Sequence, residues 1–395
     1  MSNMASGKAI FALAMGAFGI ALTEFVIMGI LPKVAGSLEV SISEAGHFIA
    51  IYAFGVVVGA PLMAGFVQRF PARMTLMGLM LWFALFNTFS GFAWDYYSML
   101  TFRFLSGLPH GAFFGMGAVL ATRLALPGKE AQGVAKMFAG FTIANVIGVP
   151  LGTFIGYEYH WSFSFFLTGG VGLFTVLSLM LWMPQMQSGS VAPDQPKKKG
   201  MGNRSMWALL GLTAIGGGGF FAWYSYIAPF LMEIGRLDEK QVSLAMILAG
   251  LGMVIGNFLG AKMVSWLKPM KAVFWGMAGM SALLILNSIL VSEPVGALIM
   301  CFVIGAVTFT MAAPIQMAIM ETSKGSEMLA SSLNQSAFNI ANANGAYLAG
   351  LPIAFGYGVI SAGRVGALLA ALGAIGAILI LWGKQNNQSS KSKGV

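Results

Sequence analysis

The chain has 395 residues, of which 57% are hydrophobic and only 9% charged, and it carries a net charge of +9. A soluble globular chain has about 25% charged residues, so water is the wrong solvent for most of this surface and a soluble domain of any size is excluded. Nucleic acid is not the partner the basic excess points to, because the lysines and arginines follow the loops in alternation, as membrane topology requires.

A helix needs about 20 apolar residues to cross the hydrocarbon core. Twelve such stretches are predicted, at 8–31, 46–67, 74–93, 98–122, 131–156 and 163–183, then at 205–232, 240–263, 270–291, 295–317, 326–350 and 363–382. The fold class is all-α, a polytopic membrane protein, because an open strand in lipid leaves its backbone unpaired and barrel strands would alternate in polarity. The first stretch is too long for a signal-peptide core and contains Glu24, so it is read as a retained span. Cys301 is the single cysteine and lies inside a span, which leaves no intramolecular disulfide and no thiolate metal site; no cofactor or metal is expected.

With both termini in the cytoplasm, 17 of the 22 basic residues fall on the inner side. Lys33, Arg236, Lys240 and Arg364 fall outside and Arg103 lies within a span. That asymmetry orients the chain across the membrane with both termini inside.

Taken in order, the first span places Glu24 in hydrocarbon, a cost that implies a cavity or a partner, and protonation would remove it. A carboxyl that merely bonds a neighbouring helix is the other reading. Arg103 is the second intramembrane charge, followed on the same helical face by Gly107, His110 and Phe114. Since arginine cannot release a proton, it would act by tuning a partner, or else serve as a structural bond to backbone carbonyls. His110 is the one histidine of three placed inside a span, and it titrates near neutrality; a plain polar helix contact is its alternative. Glu24, Arg103 and His110 form the proton-handling set, with no catalytic residues. Met28 and Phe114 are assigned to the substrate cavity.

The fifth span carries Gly140, Ala144, Gly148, Gly152 and Gly156 at a spacing of four, a stripe that allows close helix approach, and Pro150 adds a bend. Residues 184–204, with three prolines and three consecutive lysines, read as a cytoplasmic linker between a bundle at 1–183 and another at 205–384, with a tail at 385–395. The seventh span opens on Gly216 to Gly219, a place to bend, ahead of Trp223, Tyr224 and Tyr226. These rings would stack on a solute or, for Tyr226 above all, sit in an interfacial belt. In the eleventh span Gln335, Asn339 and Asn342 share a face with Phe338. These amides either line the cavity or join helices, because lipid offers them no partner.

An internal repeat runs at a constant offset of 197 residues. Gly55 and Gly59 pair with Gly252 and Gly256, and Ile143-Ala144-Asn145 with Ile340-Ala341-Asn342. Asn145 therefore shares the reading given to Asn342. Two parallel repeats are the plan of the major facilitator superfamily, whose halves rock about a substrate site near the midplane. Leu22 to Pro32 (LTEFVIMGILP), Tyr52-Ala53-Phe54-Gly55, Gly59-Ala60-Pro61-Leu62 and Gly148-Val149-Pro150-Leu151-Gly152-Thr153 resemble the arabinose-efflux-permease-like branch of its drug:proton antiporters. The resemblance implies a role in proton transfer for Arg103. It also implies an antiporter motif in the Gly140, Gly148, Pro150 and Gly152 stripe, and a gate at Arg69 and Arg73. The chain departs from the pattern there: Gln68 stands where the family has an acid, and Ser162 follows Trp161 where an arginine is usual.

The function implied is proton-coupled export of small polar or amphiphilic molecules, sugars or drugs, by a monomer in the lipid bilayer. Uptake or facilitated diffusion on the same fold stays open, since fold does not fix direction. A non-transporting membrane enzyme or sensor would need a catalytic constellation or an output domain, and neither is found. No P-loop is present, so an ion gradient supplies the energy.

Overall fold

Long apolar runs fold as helices because only a helix satisfies its own backbone in lipid. In the computed structural model, which describes residues 3–67, 70–126, 130–185, 204–291, 293–323 and 327–392, every regular element among those residues is helical. They are α1 (Asn3–Gly29), α2 (Leu31–Ser37), α3 (Ile42–Val67), α4 (Ala72–Gly91), α5 (Tyr96–Leu124), α6 (Glu130–Ile143), α7 (Val149–Glu158) and α8 (Trp161–Trp182). After them come α9 (Arg204–Gly216), α10 (Gly218–Tyr224), α11 (Ile227–Glu233), α12 (Glu239–Leu267), α13 (Pro269–Leu290), α14 (Pro294–Phe309), α15 (Ala312–Thr322), α16 (Glu327–Pro352) and α17 (Ile360–Ser392).

Among the described residues, 11 helices are long and apolar enough to cross a membrane. They correspond to the predicted spans apart from the eleventh, which is α16, 26 residues long but carrying Asn334, Gln335, Asn339, Asn342 and Asn344. The predicted linker lies outside the described residues from 186 to 203, and α17 runs on through the predicted tail to Ser392.

Several spans are interrupted where the sequence removes a donor or a side chain. Pro32 stands in the first turn of α2, next to the break at Ile30. Between α6 and α7 the residues Ala144–Gly148 form a π-helical turn just ahead of Pro150, a wide turn that accommodates a missing N–H. The seventh span breaks at Gly217, between α9 and α10.

Two compact units form. The first comprises Met1–Gln195 with Ile227–Glu233 and Leu237–Ile247, the second Pro196–Tyr226 with Ile234–Arg236 and Leu248–Val395. Small residues set helix spacing inside each. In the first unit a Cβ on Gly55 would collide with the carbonyl of Phe104, one on Gly59 with that of Leu108, and one on Gly107 with that of Tyr52, so α3 and α5 meet backbone to backbone. In the second unit Gly252, Gly256 and Gly305 stand in the same way against the carbonyls of Phe302, Ala306 and Ala249, joining α12 to α14. The repeat is therefore a repeat of packing. Within the first unit Lys33 of α2 also pairs with Glu239 of α12 at 2.7 Å.

Polarity is inverted relative to a soluble protein. Phe54, Leu81, Ile289 and Phe258 are exposed, while Thr23, Glu24, Asn87, Arg103, His110, Asn145 and Asn342 are buried. Lipid is as apolar as leucine, so hydrophobicity does not decide which face turns inward; polar groups and small residues do.

Candidate functional site

In the first unit the polar residues of α1, α3, α4 and α5 converge. Arg103 is fully buried. Its Nη1 donates to Thr23 Oγ1 at 2.8 Å, its Nη2 to the Thr23 carbonyl at 3.2 Å and its Nε to the Phe48 carbonyl at 3.4 Å. The guanidinium carbon lies 4.3 Å from the centroid of the Tyr52 ring and 5.7 Å from that of Phe165. A cation held against carbonyls and aromatic faces is stabilised without a bidentate carboxylate. The Thr23 hydroxyl donates to Asn87 Oδ1, and Asn87 Nδ2 donates to the Phe83 carbonyl at 2.8 Å.

Glu24 follows Thr23 on α1 and is 1% exposed. Its carboxyl acts electrostatically on both Arg103 and Tyr52, so the acid, the arginine and the phenol share one interior. The Tyr52 hydroxyl stands 3.1 Å from His110 Nδ1. His110 follows Pro109, which lies inside α5. A proline leaves the carbonyl four residues earlier without its helical donor, here that of Leu105, and Trp82 Nε1 of α4 donates to it at 2.8 Å.

Beyond His110 lies an aromatic wall. The His110 and Phe114 ring centroids are 5.2 Å apart, Phe114 stacks on Phe138 at 5.2 Å, and Phe141 lies 6.2 Å from Phe114 and 5.8 Å from Phe25. Asn145 donates to the Phe141 carbonyl at 3.0 Å, and its buried Oδ1 has no hydrogen-bond partner among the described residues. The structure thus gathers Glu24, Arg103, His110, Phe114 and Asn145, with Met28 buried one turn further along α1.

The glycine stripe explains the register of α1. Gly140 abuts the Ala14 carbonyl, and a Cβ on Gly148 would stand 2.7 Å from the Phe18 ring. A Cβ on Gly152 would stand 2.6 Å from Val26 Cγ2, and one on Gly156 2.7 Å from Ile30 Cγ2. Steps of four on both helices keep α1 parallel to α6 and α7, and Glu24 is carried to its depth by that contact. Arg73 donates from Nη2 to the Met180 carbonyl, while Arg69 lies outside the described residues.

The second unit has its own set. Trp223 and Tyr224 of α10 are buried, and Tyr224 stacks on Phe220 at 4.7 Å. Phe338 of α16 is half-buried and meets Phe221 edge-on at 5.0 Å. Asn339 and Asn342 are fully buried and Gln335 partly so, with Asn339 Nδ2 on the Gln335 carbonyl at 3.0 Å. Tyr226 is not in an interfacial belt: it is fully buried and donates to the Ala346 carbonyl at 2.9 Å. His110 is also not the one histidine inside a span: His47 falls within the predicted stretch 46–67 itself and lies in α3, with Nδ1 at 2.7 Å from Tyr96 Oη. Thr23, Tyr52 and Asn87 are the partners that sequence reasoning did not single out as site residues. Their signal was a hydroxyl or amide in mid-span, which hydropathy counts as a minor defect.

Comparison with known proteins bears on the whole chain. Residues 13–346 match the family model described as Major Facilitator Superfamily. The chain is 34% identical over 390 residues to the putative transporter AraJ of Escherichia coli (strain K12), covering 97% of each chain. It is 39% identical over 371 residues to the inner membrane transport protein YdhP of the same organism, covering 92% of this chain and 93% of the relative. A probable sugar efflux transporter of Mannheimia succiniciproducens is 27% identical over 381 residues, 94% and 92% of the two chains. Among solved structures, a bacterial homologue of the human lysosomal transporter Spinster superposes with a TM-score of 0.77 at 14% identity, over 96% of this chain and 97% of the other. With helices throughout and a family match over most of its length, the chain belongs to the Major Facilitator Superfamily and is a multi-pass membrane transporter.

Proposed function

We propose that the chain is a proton-coupled antiporter that exports small polar or amphiphilic molecules, sugars or drugs, across a bacterial inner membrane by alternating access. Both termini are cytoplasmic in this reading, the working unit is a monomer, and the solute leaves chemically unchanged. The observation that carries it is Glu24, a carboxyl 1% exposed in the first span and within electrostatic reach of Arg103. A buried acid beside a fixed cation has two protonation states of different cost, and a solute that alters its surroundings exchanges with the proton. Names of relatives that include a sugar efflux transporter support export, and the inner-membrane name of another supports the location.

The test is reconstitution in liposomes with an internal pH-sensitive dye, outward gradients of arabinose or chloramphenicol, and a comparison with Glu24→Gln. Proton movement opposite to solute, lost in the variant, is the expected result. Solute flux without a proton signal, unchanged in Glu24→Gln, would place Glu24 among the structural residues and make the protein a facilitator.

A further inference from the structure

Tyr52 is 1% exposed, and its two ends meet different partners. The ring face lies under Arg103 at 4.3 Å and the hydroxyl lies 3.1 Å from His110 Nδ1. Arg103 and His110 are seven residues apart on α5, two turns along one face, and the phenol bridges that interval from α3. Its backbone is pinned there, because Gly107 presses on the Tyr52 carbonyl and Gly55 on that of Phe104. On the far side of the imidazole, His110 Nε2 is buried with no hydrogen-bond partner among the described residues.

We propose that Tyr52 is a positioning residue of the proton site: its ring supports the Arg103 guanidinium, while its hydroxyl donates to His110 Nδ1 and holds the imidazole proton on Nε2. The inference rests on the reading of Glu24, Arg103 and His110 as a proton-handling set. A phenol stays neutral through the physiological range, so it fixes the tautomer without adding a charge. A ring held by one nitrogen presents the other in a single protonation state and direction. The charged groups that face this pair are Glu24 from α1 and Arg103 from α5. From α4 comes neutral Asn87, and from α8 Phe165. From α6, which packs on α5, come Phe138 and Phe141, with Lys136 exposed; on α3 itself His47 is bonded to Tyr96.

The chain has three histidines, so His47→Gln with His160→Asn leaves one imidazole to observe. Nitrogen NMR of the labelled full chain in lipid nanodiscs reads its tautomer with no solute present. With Tyr52 intact, a proton on Nε2 is expected. In Tyr52→Phe, which keeps the ring under Arg103, a mixture of tautomers is expected, because the imidazole loses the donor that held its Nδ1. A proton on Nδ1 with Tyr52 intact, or identical tautomer populations in both proteins, overturns the proposal; the first of these can be read even if the variant does not fold. Loss of the antiport reading through Glu24→Gln leaves this measurement untouched, so the two failures are told apart.

Discussion

Arg103 Nη1 donates to Thr23 Oγ1 at 2.8 Å, which fixes a cation one residue from Glu24. Lysine carries a point charge on a flexible stem and cannot lie flat on Tyr52 while serving Thr23 and Phe48. Arg103→Lys is expected to cut transport at least about tenfold and to lower stability by about 1–3 kcal/mol, as read by liposome flux and thermal melts. Thr23→Val, which leaves the Thr23 carbonyl in place, should have the smaller effect. Equal activity in wild type and Arg103→Lys would make the charge alone sufficient.

Gly140 and Gly152 both face α1, but against different atoms. Gly140 abuts the Ala14 carbonyl, which cannot move without the helix, whereas Gly152 meets Val26 Cγ2, the end of a side chain. Gly140→Ala is expected to cost about 1–3 kcal/mol and to reduce the folded yield, and Gly152→Ala clearly less. The comparison is made by thermal unfolding in detergent, and the reverse order would mean that the α1 contact does not set the spacing.

Trp82 supplies the proton that Pro109 withholds from the Leu105 carbonyl. Trp82→Phe keeps an aromatic ring and removes the N–H, leaving a carbonyl unpaired one turn before His110. A loss of about 1–3 kcal/mol is expected, recovered in large part by adding Pro109→Ala, which restores the helical donor. A double-mutant cycle measures that recovery, and additive effects would separate the two residues.

Asp95 caps α5, accepting from the Ser98 N–H at 2.8 Å while Ser98 Oγ accepts from the Asp95 N–H. Those hydrogen bonds favour the ionised form and hold its pKa below the ordinary carboxyl value. The cap's contribution is thus fully present above the unfolded pKa of about 3.9 and is lost as the pH falls through the folded value. Asp95→Asn, which caps without titrating, is expected to melt near wild type at pH 7 and to lack the part of the acid-range decline that Asp95 causes. Asp95→Ala should melt lower at pH 7. Melting curves at several pH values decide, and a wild-type pH profile in Asp95→Asn counts against the cap.

Spans were legible because membrane thickness imposes a length that composition reveals. The glycine positions that repeat at one offset were legible, and the packing of Gly55 and Gly252 shows what those positions are for. Glu24, Arg103 and His110 stood out singly because a titratable group in hydrocarbon is rare.

Their convergence was not legible. A span that is apolar all round has no hydrophobic face to show which side turns inward, so no periodicity in α1, α3 or α5 told that Thr23, Tyr52 and Asn87 would meet Arg103. That meeting depends on helix rotation and depth. Both are set by backbone contacts between residues far apart in the chain, such as Gly140 on Ala14 and Gly107 on Tyr52. Sequence alone therefore determined the solvent, where the apolar spans lie and the rare groups they carry, and tertiary structure decided which of those groups share an interior.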